Sequence, residues 1–225
     1  MPTPTVEQYV KTIFRLSQDA GRTVVQMKPL ADAMRVTPGT ATAMAKQLSS
    51  RDLISYTPRR GVQLTEKGKK LALGIIRRHR LIETFLEKVL GYDWSEVHAD
   101  AEELEHAVSD RFVERINALL GNPENDPHGE PIPGIDGVLP VRQYSLLVDV
   151  PQGSVVRIQQ LSNHDGDFLQ AMKNAEIVPG KEYVLISNDT SMGTIILGSN
   201  TRRNSRTRTI GYSVASQILV LRIPY

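Results

Sequence analysis

The sequence predicts a mainly α-helical chain with a small β-barrel at its C-terminus, and three observations predict it. Apolar residues recur at helical spacing from residue 5 to about residue 120. Five prolines and four glycines then crowd residues 121–140, as in a loop that also links domains. Beyond residue 141 the apolar residues fall in short runs rich in Val, Ile, Leu and Thr, separated by turn signals. Three parts result: 1–75, 76–140 and 141–225.

In the first part, Val6, Tyr9, Val10, Ile13, Phe14 and Leu16 mark a helix over Thr5–Gln18, stopped by Gly21. Thr23–Met27 is a short connecting segment, and Pro29–Met34 a second helix. Thr37 caps a third helix reaching about Ser50, with Pro38 at its first position, where a missing N–H costs nothing. Leu53–Tyr56 and Gly61–Leu64 read as paired strands around the basic tip Thr57-Pro58-Arg59-Arg60. Helix, helix, turn, helix and a two-stranded wing describe a winged helix-turn-helix.

The middle part predicts helices from Thr65 to about Leu90, Trp94 to His106 and Ser109 to Leu120. The last part predicts strands at Ser145–Val150, Ser154–Leu161, Glu182–Ser187, Met192–Leu197, Arg206–Val214 and Gln217–Ile223, with one helix at Asp167–Asn174. This pattern is that of a small barrel. Arg202, Arg203, Arg206 and Arg208 read as a solvated basic hairpin.

Composition narrows the function. The 225 residues contain no cysteine, which excludes disulfides and thiolate metal sites, and their mean hydropathy is −0.26. No apolar run is long enough to span a membrane and no export signal opens the chain, so a cytoplasmic location is expected. The motif His-Glu-x-x-His, a Gly-rich phosphate loop and a Gly-x-Ser-x-Gly elbow are all absent, so an enzyme is not expected.

Charge is divided along the chain. Residues 1–75 carry 12 Lys+Arg against 5 Asp+Glu, whereas residues 76–140 carry 6 against 14. A basic head carrying a recognition helix points to double-stranded DNA. Thr37, Pro38, Gly39, Thr40 and Thr42 stand at the end of the helix that enters a major groove. Lys46, Arg59 and Arg60 are placed to hold phosphates.

All five histidines fall within residues 76–165. His79 and Glu83 are four apart on one predicted helix. His98, Glu102, Glu105 and His106 recur at three- and four-residue steps, so a continuous helix over Trp94–His106 would set them along one face. No Lys or Arg occurs from Glu96 to Asp110, and carboxylates without cationic partners repel one another until a divalent cation relieves them. The array therefore reads as a metal centre.

Arg78-His79-Arg80-Leu81-Ile82-Glu83, Val97-His98, Glu102-x-x-Glu105-His106-x-x-Ser109-Asp110 and Pro127-His128-Gly129-x-Pro131-Ile132-Pro133 resemble the diphtheria-toxin-repressor family of metal-dependent regulators, in its manganese branch. The resemblance spans the chain. It implies a DNA-binding winged helix, a helical metal-binding and dimerisation domain, and a barrel like Src-homology-3 domains. It also implies two metal sites: Gln8, Glu102, Glu105 and His106 form the primary one, and His79, Glu83 and His98 the second, with Asp126, His128 and Asp165 contributing. Oxygen donors at Glu102 favour Mn2+, with Fe2+ the alternative. Gln8 departs from the pattern, since manganese-type members place an aspartate there and iron-type members a methionine. The implied function is a homodimeric repressor of metal-uptake genes on a palindromic operator, against an iron-dependent repressor or a metal-buffering protein. Ile82, Phe85, Leu86, Val89 and Trp94 are the expected dimerisation residues.

Overall fold

The computed structural model describes residues 2–19, 21–140, 142–199 and 206–224. The chain divides into two compact units. One comprises residues 1–79, 103–109 and 133–139, and the other residues 80–102, 110–132 and 140–225. Among the described residues no helix is long and apolar enough to cross a membrane.

The first unit is a winged helix. Helix α1 (Pro4–Asp19) buries Val6, Tyr9, Val10 and Ile13 at helical spacing, and α2 (Met27–Ala33) buries Leu30 and Ala31. In α3 (Pro38–Ser50) the Thr37 hydroxyl accepts from Thr40 N at 3.2 Å, which satisfies an orphan donor of the first turn. Ala41, Ala45 and Leu48 face the core, while Thr37, Pro38, Gly39, Thr40 and Lys46 face solvent. Strands β1 (Ile54–Thr57) and β2 (Gly61–Leu64) pair antiparallel, and Arg59 and Arg60 stand exposed at their tip. Val25 makes a bridge to Val62, so the segment read as a connector adds a third rung to the wing. Gly61 permits this close approach: at φ +122 its Cβ would lie 2.2 Å from the Val25 carbonyl. Helix α4 (Glu66–Lys88) follows, its start capped by Thr65, whose hydroxyl accepts from Gly68 N at 3.1 Å.

Two further helices are shorter than the sequence predicts. Helix α5 spans Val97–Leu104 and α6 spans Asp110–Leu119. Trp94 lies before α5, in turn conformation. Leu104 accepts from the amides of Ala107 (2.9 Å) and Val108 (3.1 Å), so hydrogen-bonded turns continue just past the end of α5.

The second unit contains a six-stranded antiparallel sheet in the order β3-β8-β4-β5-β6-β7, of Src-homology-3 type. Its strands are β3 (Ser145–Leu146), β4 (Val155–Leu161), β5 (Glu182–Asp189), β6 (Thr194–Ser199), β7 (Thr207–Gly211) and β8 (Ile218–Ile223). Among the described residues its edge strands β3 and β7 do not pair, so the expected barrel is incompletely closed. Helix α7 (Gly166–Asn174) and the short α8 (Tyr212–Ala215) complete it, the latter in place of the predicted end of a strand. Trp94 packs in the core of this sheet with Leu147, Ile158, Leu169 and Leu185. Arg202 and Arg203 lie outside the described residues. Arg208 is engaged: it bonds Glu176 and the Ala175 carbonyl and lies over the Tyr183 ring.

The set expected to drive dimerisation needs correction. Ile82, Leu86 and Trp94 are 1%, 3% and 7% exposed, so they serve the interior of their own unit. Among the described residues, the exposed apolar side chains of that unit are instead Val89, Leu90 and Tyr92 just beyond α4, Phe112 and Leu119 on α6, and Ile186, Met192 and Leu221 on the sheet.

The proline-rich linker is ordered. Asn125 bridges Pro131, Asp126 N donates to the Glu130 carbonyl, and Leu161 N donates to the His128 carbonyl, fixing the turn to β4. Gly129 makes this approach possible, because at φ +87 its Cβ would sit 1.8 Å from the Gln159 carbonyl. Gly153, at φ +84, has nothing within 4 Å of the same position. Gly129→Ala should therefore cost at least about 2 kcal/mol in urea denaturation. Gly153→Ala, which carries only the backbone strain, should cost about 1 kcal/mol.

Candidate metal centres

The residues of the acidic array lie at the end of α5 and just beyond it. His98 and Glu102 lie on the helix, whereas Glu105 and His106 lie in the turn beyond it. Two constellations result, one in each compact unit.

In the first unit, Glu105 is fully buried and is met by three cationic or imidazole side chains. Lys11 Nζ donates to both Glu105 oxygens at 2.8 Å, and His79 Nδ1 lies 2.6 Å from Oε2. His106 Nε2 lies 3.3 Å from Oε1, while His106 Nδ1 donates to Glu7 at 2.7 Å. Arg78 lies 3.5 Å from Glu7 and donates to the Glu105 carbonyl at 3.0 Å. These carboxylates are therefore not left to repel one another: Lys11 and Arg78 supply the cations that their local sequence lacks.

The sequence reading passed over Glu7 and Lys11 and nominated Gln8, which is half-buried on the same helix. A signal for them exists. Glu7 and Lys11 are four apart within the buried stripe of Val6, Val10 and Phe14, and a charged pair at that spacing in an apolar stripe must find buried partners.

In the second unit, His98 Nδ1 lies 3.0 Å from Glu83 on α4. One ligand atom each from Glu83, Asp126 and His128 falls within 4.8 Å of the others, and all three residues are buried. Asp126 Oδ1 accepts from the amides of His128 and Glu130, both at 2.9 Å, while its buried Oδ2 has no hydrogen-bond partner. His128 Nε2–H donates to the Trp94 carbonyl at 2.9 Å, which leaves its buried Nδ1 as a lone pair without a partner. A histidine oriented by one nitrogen with the other free is the arrangement that metal-binding imidazoles adopt. Burial, then the charges of Glu83 and Glu130, push the Asp126 carboxyl well above the usual carboxylate range. Burial also raises Glu130, but Arg80 and His164 outweigh it and hold that carboxyl low, with Arg80 Nη2 at 2.5 Å.

His164, which was not singled out as a ligand, completes the group. Its ring lies 5.1 Å from that of His128 and 5.4 Å from that of His98, centroid to centroid. Both of its nitrogens are buried without a hydrogen-bond partner. Asp165, the neighbouring candidate, is exposed and caps α7 by accepting from Asp167 N and Phe168 N. Sequence spacing hides His164 because the sheet, not a helix, brings it beside the other rings.

Both donor sets consist of carboxylate oxygen and imidazole nitrogen. The buried, unpartnered Asp126 Oδ2 and His128 Nδ1 fit a divalent first-row cation that accepts hard donors. A basic winged helix combined with such centres defines a metal-responsive DNA-binding protein.

Comparison with known proteins agrees. The iron dependent repressor N-terminal DNA binding domain matches residues 1–62, and the iron dependent repressor metal binding and dimerisation domain matches residues 65–134. The FeoA domain matches residues 146–222. The chain is 32% identical over 205 residues to the iron-dependent repressor IdeR of Mycobacterium bovis, covering 86% of this chain and 88% of that protein. Among solved structures, a manganese-dependent transcriptional repressor in complex with manganese superposes with a TM-score of 0.87 at 34% identity, covering 97% of this chain and all of the other (100%). The manganese regulator SloR superposes at 0.76 with 32% identity, over 99% and 100% of the two chains. The chain belongs to the diphtheria-toxin-repressor family of metal-dependent transcriptional repressors.

Burial holds the His164 pKa down, to about 4. The unfolded chain then takes up this proton first, so the contribution of His164 to stability is full above about pH 6.5 and is lost as pH falls toward 4. The stability difference between the wild type and His164→Gln, measured by urea denaturation in metal-free buffer, should change in favour of the variant as pH falls from about 7 to about 4.

Proposed function

We propose that this chain represses metal-uptake genes in response to Mn2+, as a homodimer on a palindromic operator. The observation that carries the reading is the pairing of an exposed recognition helix with two buried oxygen-and-nitrogen centres in one chain. Thr37, Pro38, Gly39 and Thr40 at the start of α3 are exposed, as are Lys46, Arg59 and Arg60 around them. This is the disposition of a helix that reads a major groove while its wing grips phosphates. Thr42 contributes its methyl group, since its hydroxyl donates to the Pro38 carbonyl at 2.8 Å.

Glu102, Glu105 and His106, with Gln8 or its neighbour Glu7 from α1, are the ligands of the DNA-activating site. Glu83 and His98 form the second, with Asp126, His128 and His164, while His79, bonded to Glu105, belongs with the first; Asp165 is spent as the cap of α7. When bound, the cation supplies positive charge that neutralises the carboxylates and fixes the donors around it. Glu105 and His106 already bond Lys11 and Glu7 of α1, and the cation makes that arrangement more rigid; further ordering of the head before it docks lowers the entropy cost of binding DNA. Two heads fixed in a dimer match two half-sites. Val89, Leu90, Phe112 and Leu119 are the apolar surface we assign to that dimer.

Mn2+ is supported by the absence of any sulfur donor among these residues and by the manganese-dependent repressors that superpose on the chain. Fe2+ is the second reading, supported by the iron-dependent relative from Mycobacterium bovis. Mobility-shift titration at matched free Mn2+, Fe2+, Co2+ and Zn2+ separates the two. Glu102→Ala should abolish metal-dependent operator binding while the dimer survives in sedimentation. An unchanged Mn2+ response in that variant would remove Glu102 from the activating site. Metal binding with no change in DNA affinity of the wild type would favour a buffering protein.

A further inference from the structure

Lys11 is the feature that the family reading leaves unexplained. It is 3% exposed, on the face of α1 that also buries Val10 and Phe14. Its ammonium stands 2.8 Å from both oxygens of Glu105 and 3.4 Å from His79 Nδ1. A buried ammonium is costly unless its charge is matched, so this group is held by Glu105 and is not a solvated surface lysine. It also fills the place on the carboxylate where a cation shared with His79 would sit. Two cations on one buried carboxylate repel strongly, because little water lies between them.

We infer that Lys11 is a resident cation of the activating site, which must withdraw from Glu105 before a divalent cation binds there. This rests on the reading above that Glu105 is a metal ligand. The covalent chemistry is nil: the Lys11–Glu105 ion pair breaks and a metal–Glu105 bond forms. Two consequences follow. Metal affinity is the difference between what the cation and the ammonium each gain from Glu105, so Lys11 raises the concentration at which the protein responds. The metal-free site is also charge-matched by Lys11, so α1 is tethered to the Glu105 turn before any metal arrives and is not loose. A purely structural ion pair would tether α1 equally but would not compete with the metal, so the affinity change separates the two.

The test is Mn2+ binding by competition titration in the full-length wild type, Lys11→Met and Lys11→Arg, with Glu102→Ala identifying which class of sites is the activating one. Lys11→Met removes the competitor and should tighten that class about tenfold or more. The other class should stay within about twofold, Lys11→Arg should bind no tighter than wild type, and saturating Mn2+ should raise Tm further in Lys11→Met than in wild type. Equal or weaker binding in Lys11→Met overturns the inference. If Lys11→Met fails to fold without metal, the wild type decides. Its Lys11 side-chain ammonium resonance, assigned by its loss in Lys11→Arg, should move or vanish as diamagnetic Zn2+ fills the Glu102-dependent class, and an unmoved resonance overturns the inference equally. Should Glu102→Ala remove no class of sites at all, it is the ligand assignment that fails.

Discussion

The buried Glu105 carboxylate depends on Lys11, and the first centre is built on that ion pair. His98 faces Glu83 in one compact unit, and Glu105 and His106 meet Glu7, Lys11 and His79 in the other. One acidic array on the sequence becomes two centres with different chemistry. In the first every carboxylate already has a cationic neighbour. In the second, buried Asp126 and His128 keep donor atoms unmatched.

Burial explains why the two differ. A carboxylate with no exposure cannot remain ionised without a partner, and proteins meet that constraint by ion pairing, protonation or metal binding. Glu105 is paired through Lys11, whereas Asp126 has Arg80 only at 3.7 Å and its carboxyl is pushed upward. The first solution favours a site that stays assembled while metal-free and exchanges one cation for another. The second favours a site that gives up a proton when metal binds, since ligands must be deprotonated. Both couple metal availability to the state of a chain whose recognition helix is otherwise fully formed.

Much of the architecture was legible. The Thr37-Pro38 start of α3, the paired strands around Arg59 and Arg60, and the change of apolar period after the linker all reflect local rules, and the structure obeys them. The end of α5 was not legible, because no glycine or proline marks it and Glu105 and His106 continue the helical spacing. Glu7 and Lys11 carry a local signal, a charged pair in an apolar stripe, but the decisive partner of each lies about a hundred residues away in sequence, where no local pattern names it. His164 was missed for a similar reason: β4 and the linker turn bring it beside His128, and that pairing has no periodic signature. The apolar residues Ile82, Leu86 and Trp94 misled in the opposite direction, since their own unit, including the core of the sheet, absorbs them.

The central claim is that the ligands form two separate centres, one built on Glu105 and His106 and one on Glu83 and His128. Anomalous diffraction at the manganese edge from Mn2+-loaded crystals tests it most directly. The account predicts two anomalous peaks per chain, one bonded to Glu105 and His106 and the other bonded to Glu83 and His128. A single peak per chain, or peaks that touch neither Glu105 nor His128, would contradict it.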